Sequence, residues 1–350
     1  MMKRAQTCAM PQRMVAMAAV AAGLVGSIGA CASRGPTPDA ATESRGASVR
    51  VDVAATIERV LREEDTDGDG IVSIADAGDR RFVMRADDGR ELLVEGTYEL
   101  GNLVQELGAA QRSGDAAMAE VSSRAIFMPP ADHVSHMIRT RYWDWLTRTV
   151  DAAGLTRIVE DPKRAGQPAR VYVPFGDARA YAYYTTLAAA RPELKLTVVR
   201  LPERITPEYV RSLNDAPGIL SLSLRDESSE DARDGTAGSV AMRGEPFVVP
   251  GGRFNEMYGW DSYFIALGLL ADDRAELARG MVDNFVYQIE HYGKILNANR
   301  TYYLTRSQPP FLTSMALAVF EKMPQDARSR EWLGRALRAA VREYDTVWAI

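Results

Sequence analysis

The sequence is poor in cysteine and histidine. Cys8 and Cys31 are the only cysteines among 350 residues, and both lie near the start. The body therefore has neither a disulfide framework nor a cysteine-built zinc site. Of three histidines, His133 and His136 stand three apart on an expected helix, but no third ligand accompanies them; they read as surface or core side chains. Positive charge is not in excess, since 42 Lys and Arg face 47 Asp and Glu, a formal net charge of −5. That balance argues against nucleic acid as a partner. Nor is apolar content low: 46% hydrophobic with 25% charged residues excludes an intrinsically disordered, collagen-like or coiled-coil chain. The length allows one large domain or two ordinary ones.

The first 13 residues carry Lys3, Arg4 and Arg13 and no acid, and Met14 to Ile28 is almost wholly small and apolar. That run has the length of a signal h-region and is too short for a confident spanning helix. It ends in Ile28-Gly29-Ala30-Cys31, which resembles a bacterial lipobox. The resemblance implies a signal peptide over 1–30, lipidation at Cys31, and an exported lipoprotein held at the membrane by its lipid. Residues 31–50, rich in Ala, Ser, Pro and Thr, read as a flexible tether.

A calcium loop follows, within an expected module over 51–95. Asp65-Thr-Asp67-Gly-Asp69-Gly70-Ile71-Val-Ser73-Ile-Ala-Asp76 offers oxygen at each position where a twelve-residue loop needs it. Those ligands are Asp65, Asp67, Asp69, the Ile71 carbonyl, Ser73 (directly or through water) and Asp76. Gly70 falls at the sharp turn. Two features depart from the EF-hand pattern: position 12 is Asp rather than Glu, and Ala77-Gly78-Asp79 leaves no clear exit helix. A lone loop of this kind is expected to be structural rather than a switch.

After a short strand-rich stretch, Arg81 to Val94, helical periodicity dominates. Leu100, Leu103, Val104 and Leu107 share one face of an expected helix, and Ile138 to Val150 predicts another, with Tyr142, Trp145, Leu146 and Val150. Arg170 to Pro174 reads as a strand, and Thr206-Pro207 as a helix start. Asp226 to Gly244 reads as a solvated loop. Met281, Val282, Phe285, Val286 and Ile289 form one apolar stripe. Trp332, Leu333, Ala336, Leu337, Ala340, Val341 and Tyr344 form another. Helices packed in succession suit a helical bundle or an α/α toroid, and periodicity alone does not choose.

The segment Pro250-Gly-Gly-Arg253-Phe-Asn-Glu256-Met-Tyr258-Gly-Trp260-Asp261-Ser-Tyr263 resembles the signature of the trehalases. His291 to Arg300 and Arg306-Ser307-Gln308-Pro-Pro-Phe311 resemble two further segments of that family. The calcium loop, with Gly96-Thr-Tyr98 through Leu107, resembles the calcium-dependent neutral trehalases of fungi. The resemblance runs from about Glu58 to Ile350. It implies a mainly α fold, with 96–350 as a truncated N-terminal part of an (α/α)6 toroid, and trehalose as substrate. Arg253, Trp260, Asp261, Asn297, Arg306, Ser307 and Gln308 are then the substrate-binding set. Their chemistry suits a sugar, for Arg brings five donors in a rigid fork, Asn and Gln bring donor and acceptor together, and Trp brings an apolar platform.

The resemblance also implies an inverting mechanism with a general-acid Asp and a later general-base Glu. No segment of the chain matches the motif of either. The expectation is the front part of an α,α-trehalase that hydrolyses trehalose to two glucose molecules, with little or no such activity in this chain by itself and with Asp261 and Glu256 the first carboxylates to suspect otherwise. A partial toroid is also expected to expose apolar helix faces. The alternative is a non-catalytic, calcium-stabilised sugar-binding lipoprotein. A toroid hydrolase acting on another glucoside ranks below both.

Overall fold

The computed structural model describes residues 48–70, 72–113, 117–159, 169–226 and 242–349. The signal-like run, Cys31 and Ile71 lie outside them. Two compact units emerge, divided between Arg141 and Tyr142.

In the first unit β1 (Ser48–Asp52) leads into α1 (Val53–Glu64), and Asp52 caps that helix by accepting from the Ala55 N–H at 2.9 Å. The hairpin of β2 (Arg81–Arg85) and β3 (Glu91–Glu95) follows, where the sequence places a strand-rich stretch. Next come α2 (Thr97–Arg112), β4 (Met118–Ser122), α3 (Ser123–Ile126) and α4 (Pro130–Met137). β4 pairs antiparallel with β1. One core gathers Val51, Val60, Phe82, Met84, Val94, Leu100, Leu103 and Leu107, all fully buried. Because α2 contributes three of these leucines, the expected boundary between residues 95 and 96 falls inside this unit. His133 is a core histidine, 1% exposed and 3.2 Å from Glu106 Oε1.

The second unit opens with α5 (Trp143–Leu146) and β5 (Thr147–Arg148). The helix expected from Ile138 to Val150 is therefore corrected. It stops at Leu146, because Thr147 and Arg148 pair with β11 (Phe247–Val248). Arg148 is buried, and its Nη1 donates to the carbonyls of Trp145 at 2.7 Å and Thr147 at 2.9 Å. Tertiary pairing overrides helical spacing here.

After α6 (Ala152–Val159) comes a small parallel sheet that periodicity missed apart from its central strand. β6 (Ala169–Val173) runs between β7 (Leu196–Arg200) and β8 (Ile219–Leu220), with α7 (Ala178–Ala190) linking β6 to β7. The start of α8 (Pro207–Ser212) is the expected one, with the Thr206 hydroxyl accepting from the Tyr209 N–H at 3.2 Å. β9 (Leu224–Asp226) and β10 (Met242–Gly244) pair antiparallel, so both ends of the stretch expected to be a solvated loop are strand, and residues 227–241 lie outside the described ones.

Four helices dominate the remainder: α9 (Gly259–Ala271), α10 (Ala275–Tyr292), α11 (Leu312–Glu321) and α12 (Ala327–Glu343). The stripe on α10 is wholly buried, while that on α12 is buried at Trp332 and Ala336 and exposed at Leu337, Val341 and Tyr344. The chain is mainly α, as expected of part of an (α/α)6 toroid.

Leu103 is fully buried in the first core. Leu103→Ala is expected to cost about 3 kcal/mol, read as a lowered urea midpoint for the first unit; a loss below about 1 kcal/mol would contradict the packing described.

Candidate functional site

The site is built on an extended segment, 295–300, whose backbone donors are spoken for almost one by one. The Ile295 N–H donates to Glu343 Oε1 at 2.6 Å, and that of Leu296 to Gln288 Oε1 at 2.9 Å. The Asn297 N–H donates to the Arg306 carbonyl at 3.1 Å, and that of Asn299 to the Met257 carbonyl at 3.3 Å. Ala298 bridges antiparallel to Tyr258. Gln288 and Glu343 are fully and almost fully buried, so α10 and α12 reach into the segment with polar side chains. Burial pushes the Glu343 carboxyl up, and the Ile295 N–H opposes that shift.

The Pro250 to Asp261 segment is fastened beside it. The Met257 N–H donates to Asn299 Oδ1 at 2.8 Å, and Asn299 Nδ2 donates to the Leu220 carbonyl at 3.2 Å. At the mouth of α9 the Gly259 N–H donates to the Asn297 carbonyl at 3.1 Å, and the Trp260 N–H to Gln308 Oε1 at 2.8 Å. A Cβ at Gly259 would stand 2.8 Å from that same Oε1 and 3.2 Å from the Leu296 carbonyl, so a side chain there would push the Gln308 amide away from the Trp260 N–H. Thus Trp260, Asn297, Arg306 and Gln308 lie on three backbone segments bonded to one another, with Asp261 and Ser307 adjoining them in sequence. Arg253 is exposed and packs its guanidinium 5.0 Å from the Phe254 ring. Trp260 is 44% exposed and meets Phe264 edge-on at 6.3 Å. Tyr263 and Phe311 stack at 4.8 Å and 6°. Together they give an aromatic surface beside exposed and half-exposed polar groups.

Glu256, a suspected carboxylate, is otherwise engaged. Its Oε1 accepts from Arg300 Nη2 at 2.6 Å and Nε at 2.7 Å, and its Oε2 from the Asn255 N–H at 3.1 Å. Both partners are 4% exposed. Asn255 in turn accepts from Arg148 Nε at 3.0 Å; burial holds the Arg148 guanidinium down at about 10. Sequence reasoning missed Arg148, Gln288, Asn299, Arg300 and Glu343 as supports. For Arg148, Gln288 and Glu343 the available signal was a polar residue inside or beside an apolar stripe; Asn299 and Arg300 lie outside the stripes.

In the first unit, one oxygen each from Asp65, Asp67 and Asp76 lie within 4.8 Å of one another. Gly70 has φ +84, as the turn requires. Asp65 Oδ2 accepts from its N–H at 2.8 Å. Asp76 is 5% exposed and accepts from the N–H groups of Thr66 at 2.8 Å and Ser73 at 2.6 Å. Those donors hold its carboxyl down at about 2. The stability they contribute is present above the ordinary carboxylate range and is lost as pH falls through about 2. Asp69 is not among the three convergent carboxylates. Arg80 Nη2 donates to the Ser73 carbonyl at 3.0 Å and to that of Asp76, while Glu64 accepts from the Arg80 N–H at 3.2 Å. This hard, all-oxygen donor set fits calcium.

Glu256→Gln is expected to destabilise the second unit by about 3–5 kcal/mol, because it leaves the Arg300 charge buried and unpaired. The exposed change Arg253→Ala is expected to stay within about 0.5 kcal/mol. Urea midpoints of the two variants check the contrast; equal midpoints would contradict it.

The trehalase family profile matches residues 120–350. The chain is 44% identical over 315 residues to a cytosolic neutral trehalase of Beauveria bassiana, covering 89% of this chain and 42% of that protein. It is 42% identical over 305 residues to a cytosolic neutral trehalase of Saccharomyces cerevisiae, covering 85% and 40%. A solved neutral trehalase of Saccharomyces cerevisiae superposes with a TM-score of 0.58 at 46% identity, over 63% of this chain and 40% of that one. The chain thus spans about two fifths of the length of these relatives. Their names correct the expectation of an exported, membrane-anchored lipoprotein, since the relatives are cytosolic proteins. Among the described residues no helix is long and apolar enough to cross a membrane. The chain belongs to the trehalase family.

Proposed function

We propose that this chain forms the sugar-binding part of an α,α-trehalase, an enzyme that hydrolyses trehalose to two glucose molecules with inversion. One observation carries the reading. Segments distant in sequence, around Trp260, Asn297 and Arg306 to Gln308, are bonded into one framework that carries an exposed indole, and Arg253 is exposed in the segment that leads into it. A neutral polyol needs that combination of bidentate donors and an aromatic face. Arg253, Arg306, Asn297, Ser307 and Gln308 would bind hydroxyls, Trp260 would cover a sugar face, and Asp261 would accept from a hydroxyl.

Inverting hydrolysis needs two carboxyls roughly 6.5–9.5 Å apart, one to protonate the leaving oxygen and one to activate water. Asp261 is the one carboxylate in the proposed set, and Glu256 is committed to Arg300. We infer that the chain by itself binds without appreciable turnover, which leaves sugar binding without catalysis as the second reading of the same site. Calorimetry with trehalose is expected to give saturable heat, weakened at least tenfold in Arg306→Ala, with no glucose released by the pure chain. Absence of heat would overturn the binding assignment. Glucose release that survives Arg306→Ala would overturn both parts.

The Asp65 to Asp76 loop would hold calcium through Asp65, Asp67 and Asp76, with Asp69, Ser73 and the Ile71 carbonyl completing the ligands. Calcium, when bound, supplies the divalent charge that neutralises the converging carboxylates. At a hundredfold excess over Kd the ion would add about 2.7 kcal/mol to stability. A chelator is accordingly expected to lower the Tm of the first unit by several degrees, and Asp67→Ala to abolish that response. An unchanged melt would count against a bound ion.

A further inference from the structure

Away from the sugar site, α10 and α12 border a cleft of about 220 Å³ lined by Arg279, Arg328, Glu331, Trp332, Arg335 and Arg338. Arg328, Glu331, Arg335 and Arg338 recur at helical spacing on one face of α12, and Arg279 comes from α10. Four guanidiniums thus face one carboxylate, an arrangement of like charges that does not stabilise a helix by itself.

The neighbouring acids neutralise it in part: Asp283 and Glu276 take up Arg335 and Arg279, and Arg328 helps to lower the Asp326 carboxyl. Buried Asp283 accepts from Trp332 Nε1 at 2.9 Å and from Arg335. Arg279 stands 3.5 Å from Glu276 Oε2 through Nη1. Its Nε is buried without a hydrogen-bond acceptor, 3.8 Å from Asp283 Oδ2. Among the described residues neither Arg328 nor Arg338 has an ion pair within 4.0 Å, and both are exposed on the rim.

We propose that this cleft binds a phosphate dianion, either free or as a small phosphate monoester. Arg328 and Arg338, outside any ion pair within 4.0 Å, offer planar forks that match the oxygens of a dianion bidentately, and Glu331 in the same lining opposes the anion. The indole of Trp332 forms an apolar wall for the organic part of an ester. Trehalose is uncharged and makes no use of such a cleft, so the inference stands independently of the sugar site.

The test is calorimetry on the whole chain at constant ionic strength in chloride, with inorganic phosphate and phenyl phosphate as probes. Saturable one-to-one binding is expected, at least tenfold weaker in Arg328→Gln/Arg338→Gln and about threefold tighter in Glu331→Gln. Tighter binding of phenyl phosphate than of inorganic phosphate supports a monoester as the ligand, and equal binding supports the phosphate group alone. All three substitutions sit on exposed side chains, and circular dichroism confirms folding. If the double variant loses helix, the sign of the Glu331→Gln effect decides. No saturable heat, undiminished binding in a folded double variant, or weaker binding in Glu331→Gln overturns the proposal.

Discussion

The proposed sugar site depends on where the backbone donors of 295–300 go. A buried N–H left without an acceptor costs about 1–3 kcal/mol. This short segment spends its donors on Glu343, Gln288, Arg306 and Met257. A one-residue shift would break several of these bonds together. The register that presents Asn297 is therefore held from four directions. Asn299 closes the arrangement, because its carbonyl oxygen takes the Met257 N–H and its amide reaches the Leu220 carbonyl. The parallel sheet, the stretch that leads into α9 and the 295–300 segment thus share one side chain.

The buried Glu256–Arg300 pair works on the same framework. Desolvating two charges is expensive, and their attraction offsets that cost only with good geometry and further hydrogen bonds. Here Arg300 grips Glu256 through two nitrogens, and the Asn255 N–H occupies the other oxygen. Arg148 reaches Asn255 from the corner where α5 gives way to β5. The family motif that supplies Arg253, Trp260 and Asp261 to the proposed set therefore also contains a structural element. Within it, Arg253 and Trp260 face outward while Asn255 and Glu256 face into the protein.

This division explains how far the sequence could be read. The helices α2 and α12 were legible because their buried residues recur on one face, and α10 from its apolar stripe although it is buried all round from Gly280 to Ile289; the Thr206 cap was legible from local chemistry. The end of the helix at Leu146 and the β7-β6-β8 sheet were not, since both depend on partners dozens of residues away. Likewise the Asp65 to Asp76 loop was visible in its spacing, whereas Glu64 and Arg80, which bind its exit and the Ser73 and Asp76 carbonyls, carry no local signature. Supporting residues are specified by three-dimensional neighbours, and a single sequence records only their polarity.

Exposure of aromatic residues is a weak guide to the sugar surface in this protein. Phe264 and Leu267 on α9, Leu317 on α11, and Leu337 and Val341 on α12 are all as exposed as Trp260 or nearly so. Apolar side chains are exposed on all three helices, and open apolar surface alone does not identify a ligand. What distinguishes Trp260 is how its backbone is fixed. Its N–H is taken by Gln308, one residue after the Gly259 N–H is taken by Asn297. The first turn of α9 is therefore positioned by two residues of the proposed binding set, and α9 sets the angle of the indole. Trp260 is then oriented by the same groups that would hold the sugar hydroxyls. Phe264, one turn further on, lies edge-on to that indole and against Phe311, and it supports the platform from behind.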